Sequence, residues 1–309
     1  MALLARKKYV LVKTESSYGT DSTPAEASDA VLTSNLSITP LAGPTVGRNL
    51  DRAVLGNDLQ IQVGTFVQIS FQVEVAGGGG VDTPPKWSSA LQACGFSETV
   101  NASTSVVFAP VSDSIDSATL YFQHDGQLHK VTGARGTVSM NLSPGEIPRF
   151  SFTFTGLYNA PTSSADGTPT VSSFQTPLPI NNDNTGTFTL HGESSTLISL
   201  SLDMANEVVY RNVVGNESVE LVDRAPAGQC VIEAPAISDK NWFTTAVNST
   251  TGALQLVHGS ATGNTVQIDA PAVQIVQPTY GESDGISTLE MGLSLVPDSG
   301  DDELTITCT

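Results

Sequence analysis

The run from Leu59 to Val75 reads LQIQVGTFVQISFQVEV, and its alternation decides the fold class. Gln60, Gln62, Gln68, Ser70, Gln72 and Glu74 alternate with Leu59, Ile61, Val67, Ile69, Phe71 and Val73. A period of two sends successive side chains to opposite faces of an extended chain, so one face is apolar and the other polar and nearly uncharged. Gly64-Thr65 interrupts the run and Phe66 breaks the strict alternation, which predicts two strands or one long bent strand.

The neighbouring sequence keeps to this pattern. Gly77 to Gly80 forms a flexible link, and Pro84-Pro85 leads into KWSSALQACGF, where Trp87, Ala90, Leu91 and Cys94 fall on one face of a short helix stopped by Gly95. Strands are expected near Val106–Phe108, Ala118–His124, Leu128–Thr132, Gly136–Leu142 and Arg149–Leu157, with turns at Asp125-Gly126 and Ser143-Pro144-Gly145. Residues 160–186 are rich in Pro, Ser, Thr, Asn and Gly and suit a linker or surface loop. The expected division is residues 1–165, with an N-terminal arm over 1–20, and residues 166–309.

The second unit echoes the first in order. VGRNLDRAVLGN (Val46 to Asn57) is matched by VYRNVVGN (Val209 to Asn216), and Lys86-Trp87 by Lys240-Asn241-Trp242. LYFQH at Leu120 is matched by LQLVH at Leu254, and the apolar-alternating run from Phe150 by that from Thr288. Internal duplication is therefore expected. The fold class is all-β: two tandem sandwich or barrel domains, each with one short flanking helix.

The chain has 13 Lys+Arg against 31 Asp+Glu, a net charge of −18. Phosphate-gripping surfaces need Lys and Arg, so a nucleic-acid-binding function is disfavoured, though not a surface past which DNA slides. Residues 166–309 hold three Lys+Arg and eighteen Asp+Glu, while Arg6, Lys7, Lys8 and Lys13 cluster in the first 20 residues. A basic arm and an acidic second half suit head-to-tail contact between copies, and a solvated arm is the alternative. No apolar run is long enough for a transmembrane helix, and Arg6, Lys7 and Lys8 follow the first apolar residues rather than precede them, the reverse of a secretory signal. Synthesis and retention in a reducing cytoplasm are expected. Cys94, Cys230 and Cys308 form no CxxC pair and read as small hydrophobes.

No catalytic constellation stands out. His124, Asp125 and His129 flank a turn without a third strong ligand, and the four-glycine run lacks the Gly-Lys-Ser/Thr of a phosphate loop. Asp298, Asp301, Asp302 and Glu303 lack the regular spacing of a calcium loop. Neither a metal nor a cofactor is expected. Trp87 and Trp242 read as core anchors rather than sugar-stacking platforms.

KTESSYGT at Lys13, LSITP at Leu36, KWSSALQACGFSET at Lys86, the long hairpin from Leu120 to Thr162, PTYGESDGI at Pro278 and GDDELTI at Gly300 together resemble major tail tube proteins of long-tailed, non-contractile bacteriophages. The resemblance spans nearly the whole chain. It implies a structural virion protein whose inner strands join between subunits into a β-lined lumen, with rings stacking into the tube through which the genome passes. Its implied partners are further copies of itself and the tape-measure, tail-tip and tail-terminator proteins.

In that frame Gln60, Gln62, Gln68, Gln72 and Glu74, with Glu220 and Glu233 as second-half counterparts, are the lumen-facing candidates. Arg6, Lys7, Lys8 and Lys13 are the inter-ring candidates. The same polar face also suits a sheet meeting outer solvent. Two tube domains per chain give a trimeric ring with pseudo-sixfold symmetry; a second half turned outward as decoration requires six chains. A carbohydrate-binding or adhesive β-sandwich protein is the reading from another class.

Overall fold

Each half is built around a long antiparallel hairpin, seen in a computed structural model that describes residues 2–309. In the first half the hairpin is Gln127–Leu142 with Arg149–Tyr158, and in the second it is Val266–Ser283 with Ile286–Leu295. Alternation sets the faces: Phe150, Phe152 and Phe154 are buried while Ser151 and Thr153 point the other way. Phe71 packs on Phe152 and Phe154 at 5.5 and 5.7 Å between ring centroids. Burying each such ring contributes about 1.5–3 kcal/mol.

The strands of the two halves pair in the same order, all antiparallel. The first runs Ala30–Val31, Lys8–Thr14, Ala118–His124, Gln127–Leu142, Arg149–Tyr158, Phe66–Glu74, Ser34–Thr39. The second runs Glu193–Ser194, Thr187–Leu190, Thr251–His258, Val266–Ser283, Ile286–Leu295, Ala227–Glu233, Leu197–Asp203. Each long strand is bulged. Register shifts between Thr132 and Arg135 and between Val276 and Thr279, with Gly133 at φ 57° and Gln277 at φ 47°. The bulge bends the strand, and its two ends join different partners.

The halves are stitched together twice. Ser139–Leu142 pairs with Leu200–Asp203, and the last strand, Thr305–Cys308, lies between Ser105–Pro110 of the first half and Val266–Asp269 of the second. A single cluster of buried apolar residues runs through both halves. The hairpin Phe96–Asn101 with Ser105–Pro110 has no second-half counterpart, because the helix Trp242–Val247 leads directly to Thr251–His258.

Several local expectations change. The run from Leu59 to Val75 splits: Gln60–Gln62 leaves the main sheet for a two-stranded hairpin with Thr45–Gly47, and only Phe66–Glu74 is a sheet strand. Gly64, at φ 78°, makes the break. Leu128–Thr132 and Gly136–Leu142 are one strand across the bulge, and the first helix is limited to Ser88–Gln92. Within the residues read as an arm, Lys8–Thr14 is an interior strand. Segment 160–186 is irregular and mostly at the surface beyond the short strand Thr162–Ser163, and it is held to the first half where Gln123 donates to Ser164 O at 2.9 Å and Gly167 N donates to Tyr9 Oη at 3.1 Å.

Candidate functional site: a continuous polar sheet face

The joint between the halves makes one sheet of eight strands. It begins at Ser34–Thr39, passes through Phe66–Glu74, Arg149–Tyr158 and Gln127–Leu142, and crosses into Leu197–Asp203, Ala227–Glu233, Ile286–Leu295 and Val266–Ser283. A single row crosses it with one residue per strand: Ser34, Gln72, Ser151, Ser139, Asp203, Ala227, Ser294 and Gln274 stand directly opposite their neighbours. A second row, from Glu74 through Arg149, Asn141, Ser201, Gln229 and Gly292 to Val276, follows the same register. The reverse face, with Val67, Ile69, Phe71, Val138, Leu200, Leu202, Ile232, Met291 and Leu293, is core.

In the first half, several polar groups of this face pair with one another. Gln72 Nε2 donates to Ser151 Oγ at 3.1 Å, Asn35 Nδ2 donates to Gln72 Oε1 at 2.8 Å, and the Ser37 and Ser70 hydroxyls lie 2.8 Å apart. Glu74 and Arg149 offset each other at 3.7 Å, whereas Asp203, Glu233 and Glu290 are exposed acids on the same face. Hydroxyls and amides already engaged in short hydrogen bonds offer little to a passing ligand. The remaining acids repel anions.

The structure brings four of the lumen candidates together, since Gln68, Gln72, Glu74 and Glu233 lie on this face. It separates the rest. Gln60 and Gln62 sit on the small hairpin with Thr45–Gly47, and Glu220 sits on the hairpin Asn206–Val213 with Asn216–Arg224, where it binds Arg135. The sequence reading did not place Ser139, Ser151, Asp203 or Glu290 on this face. The alternation in LISLSLD, Leu197 to Asp203, was the available signal.

Two of the four cations near the N-terminus, Lys7 and Lys8, engage their own chain. Lys7 Nζ lies 2.7 Å from Asp125 and 2.5 Å from Asp166, and Lys8 Nζ donates to Leu36 O. The hydrogen bond from Lys7, helped by those from Gly126 N and Gln123, holds the Asp166 carboxyl down at about 2. Lys13 belongs to the strand Lys8–Thr14, and Arg6 is exposed at the turn before it.

Nearby, Glu15 is buried and accepts from Gly19 N, Ser117 Oγ, Thr119 Oγ1 and Gly133 N at 2.6–2.8 Å. The acidic turn near the C-terminus is also structural, with Asp301 and Glu303 binding Arg224 and Asp302 accepting from the backbone of Asp298 and Ser299. Trp87 and Trp242 are both buried, and burial pushes the Cys230 and Cys308 thiols up to about 12. Among the described residues no three His, Cys, Asp or Glu side chains group as a metal site, and no helix is long and apolar enough to cross a membrane.

The chain is thus all-β, with one broad sheet that crosses both halves and presents a mostly polar face. The chain belongs to the phage tail tube protein family, whose model matches residues 5–308. No curated protein matches it. Membership makes it a structural component of the virion tail that assembles with further copies of itself and other tail proteins.

Proposed function

We propose that this protein is the major tube subunit, that its two halves are duplicated tube domains, and that three chains close a ring of pseudo-sixfold symmetry whose lumen is the polar face. The observation that carries this reading is the unbroken eight-strand sheet with one polar residue row across both halves, interrupted only by Ala227. A second half turned outward as decoration would not extend that sheet. The identical pairing order of the halves supports duplication.

In this reading, rings stack into a tube and the genome moves past Ser, Thr, Gln and Asn side chains and a few acids, without the ion pairs that would hold phosphates. The subunit is made in the host cytoplasm, has no catalytic role, and meets the tape-measure, tail-tip and tail-terminator proteins at the tube's length and ends. Electron microscopy of end-on particles with mass measurement tests the symmetry. Hollow rings with a mass of three chains are expected, and rings of six chains or persistent monomers at all concentrations overturn the trimer.

A further inference from the structure

Two surfaces of this chain lack the cover that their counterparts have. In the second half, the hairpin Asn206–Val213 with Asn216–Arg224 links Leu197–Asp203 to Ala227–Glu233 and folds back over the first half. Val219 is fully buried there; its N donates to Tyr18 Oη at 2.5 Å and its O accepts from Arg135 Nη1 at 3.0 Å. Asn206 Nδ2 donates to Cys94 O and Gly136 O at 2.8 and 3.0 Å. The hairpin thus clasps the bulge Thr132–Arg135 and the end of the helix Ser88–Gln92.

The first half has a hairpin at the same place in its strand order. Thr45–Gly47 with Gln60–Gln62 links Ser34–Thr39 to Phe66–Glu74, yet its tip and stem are open, with Val54 74%, Leu55 105% and Leu59 70% exposed. The second half has a bulge equivalent to the clasped one, at Val276–Thr279 beside the helix Trp242–Val247. It too is open: Val247 is 83% and Tyr280 56% exposed, with the Tyr280 ring 5.2 Å from that of Phe243 on the same helix.

We propose that the hairpin of residues 45–62 clasps the Val276–Tyr280 bulge of a second copy of this chain, as the hairpin of residues 206–224 clasps the first-half bulge within one chain. The occupant is a second copy because the open hairpin adjoins the first strand of the eight-strand sheet and the open bulge lies in the last. Within one chain seven strand-to-strand steps of about 4.8 Å lie between these two ends, and the two are not paired with each other. Both ends also present unpaired strand edges: the side of Ser34–Thr39 away from Phe66–Glu74, and the side of Thr279–Ser283 away from Ile286–Leu295. Head-to-tail joining of such unlike surfaces closes into a ring when the rotation permits. Residues 40–62 carry two Arg and two Asp, so this apolar, neutral element meets the acidic second half without repulsion.

The inference rests on the ring reading and is tested so that the two can fail separately. One variant replaces residues 46–61 by Asn-Gly, and the other is Tyr280→Glu; circular dichroism checks that each folds. Each alone is expected to raise the concentration needed for assembly by about tenfold or more, as loss of an interface anchor does. Mixed together, they retain one intact joint between them and are expected to give a one-to-one heterodimer rather than rings, read by sedimentation. Truncated chains that still form rings at the wild-type concentration overturn the clasp while leaving the ring. Six-chain rings that are lost on truncation overturn the trimer while supporting the clasp. A wild-type chain that never assembles overturns both.

Discussion

Glu15 is a buried carboxylate with four donors: Gly19 nearby in the chain, Ser117 and Thr119 at the start of one strand, and Gly133 at the bulge of the next. Gln in its place retains one acceptor oxygen and, whichever way it is flipped, turns its amide NH2 toward one backbone N–H, that of Gly19 or Gly133, that can only donate. Glu15→Gln is expected to cost about 2–3 kcal/mol, measurable by chemical denaturation. The two tryptophans separate packing from hydrogen bonding. Trp87 Nε1 donates to Ala76 O at 3.0 Å, whereas Trp242 Nε1 is buried without a partner. Trp87→Phe strands a carbonyl and is expected to destabilise by about 1 kcal/mol more than Trp242→Phe.

His258 is buried with its ring nitrogens 3.0 Å from Thr185 Oγ1 and 3.1 Å from Leu178 O, and burial lowers its pKa below the ordinary 6.5. The folded state resists the proton that the unfolded chain accepts. Its contribution is present above about 6.5 and is lost as pH falls from there toward the lowered folded value. Denaturation curves across that window are expected to be flatter with pH in His258→Gln. Asp166, depressed to about 2, follows the carboxylate rule: its contribution is present above 3.8 and is lost as pH falls toward 2. Lys7→Ala is expected to return the Asp166 titration, followed by NMR, toward 3.8.

Among the elements, the bulged strands carry the most consequence, because each bulge bends one strand so that its two ends take different partners. Gly133 sits at φ 57° with the Tyr18 ring 2.8 Å from where a Cβ would stand, so side chain and backbone both exclude a larger residue. Gly133→Val is expected to lower stability by about 2 kcal/mol or more, measured as a fall in Tm, through strain and displacement of Tyr18. The second-half bulge holds Gln277 at φ 47° with its side chain exposed, and Gln277→Gly is expected to be tolerated within about 0.5 kcal/mol. The 18-residue strand Val266–Ser283 was not read from the sequence. The strand Phe66–Glu74 and the buried Phe150, Phe152 and Phe154 were legible from alternation, because burial on one face imposes period two on the residues themselves, and Trp87 was legible from the helical spacing of its apolar neighbours. The diversion of Gln60–Gln62 was not, since the same alternation suits a free hairpin and a sheet strand; the turn at Gly64 and the partner Thr45–Gly47 made the difference.

For the whole molecule, the charge of the polar face is the property that matters for a tube. Glu74→Lys, Glu233→Lys and Glu290→Lys together change this face by six charge units while leaving the apolar face untouched. If the face lines a lumen, assembled variant tubes are expected to retain DNA at low salt and release it steeply as salt rises, whereas wild-type tubes retain none. Binding measurements on unassembled chains and on tubes distinguish a lumen from an outer surface. DNA held equally by variant chains with closed tube ends would place the face outside.

The sequence by itself determined what local chemistry controls: the all-β class, the two short helices, the core aromatics, the paired landmarks of the halves, and membership of a tail tube family. Tertiary structure alone decided that the halves share one sheet, that Gln68, Gln72, Glu74 and Glu233 share its face with Asp203 and Glu290, and that Glu220 instead binds Arg135. The physical reason lies in strand pairing. Alternation fixes which side chains of one strand point together, but the neighbour and the register are set by contacts between residues far apart in the chain, such as Ser139 with Asp203, and a one-residue slip would reverse every face.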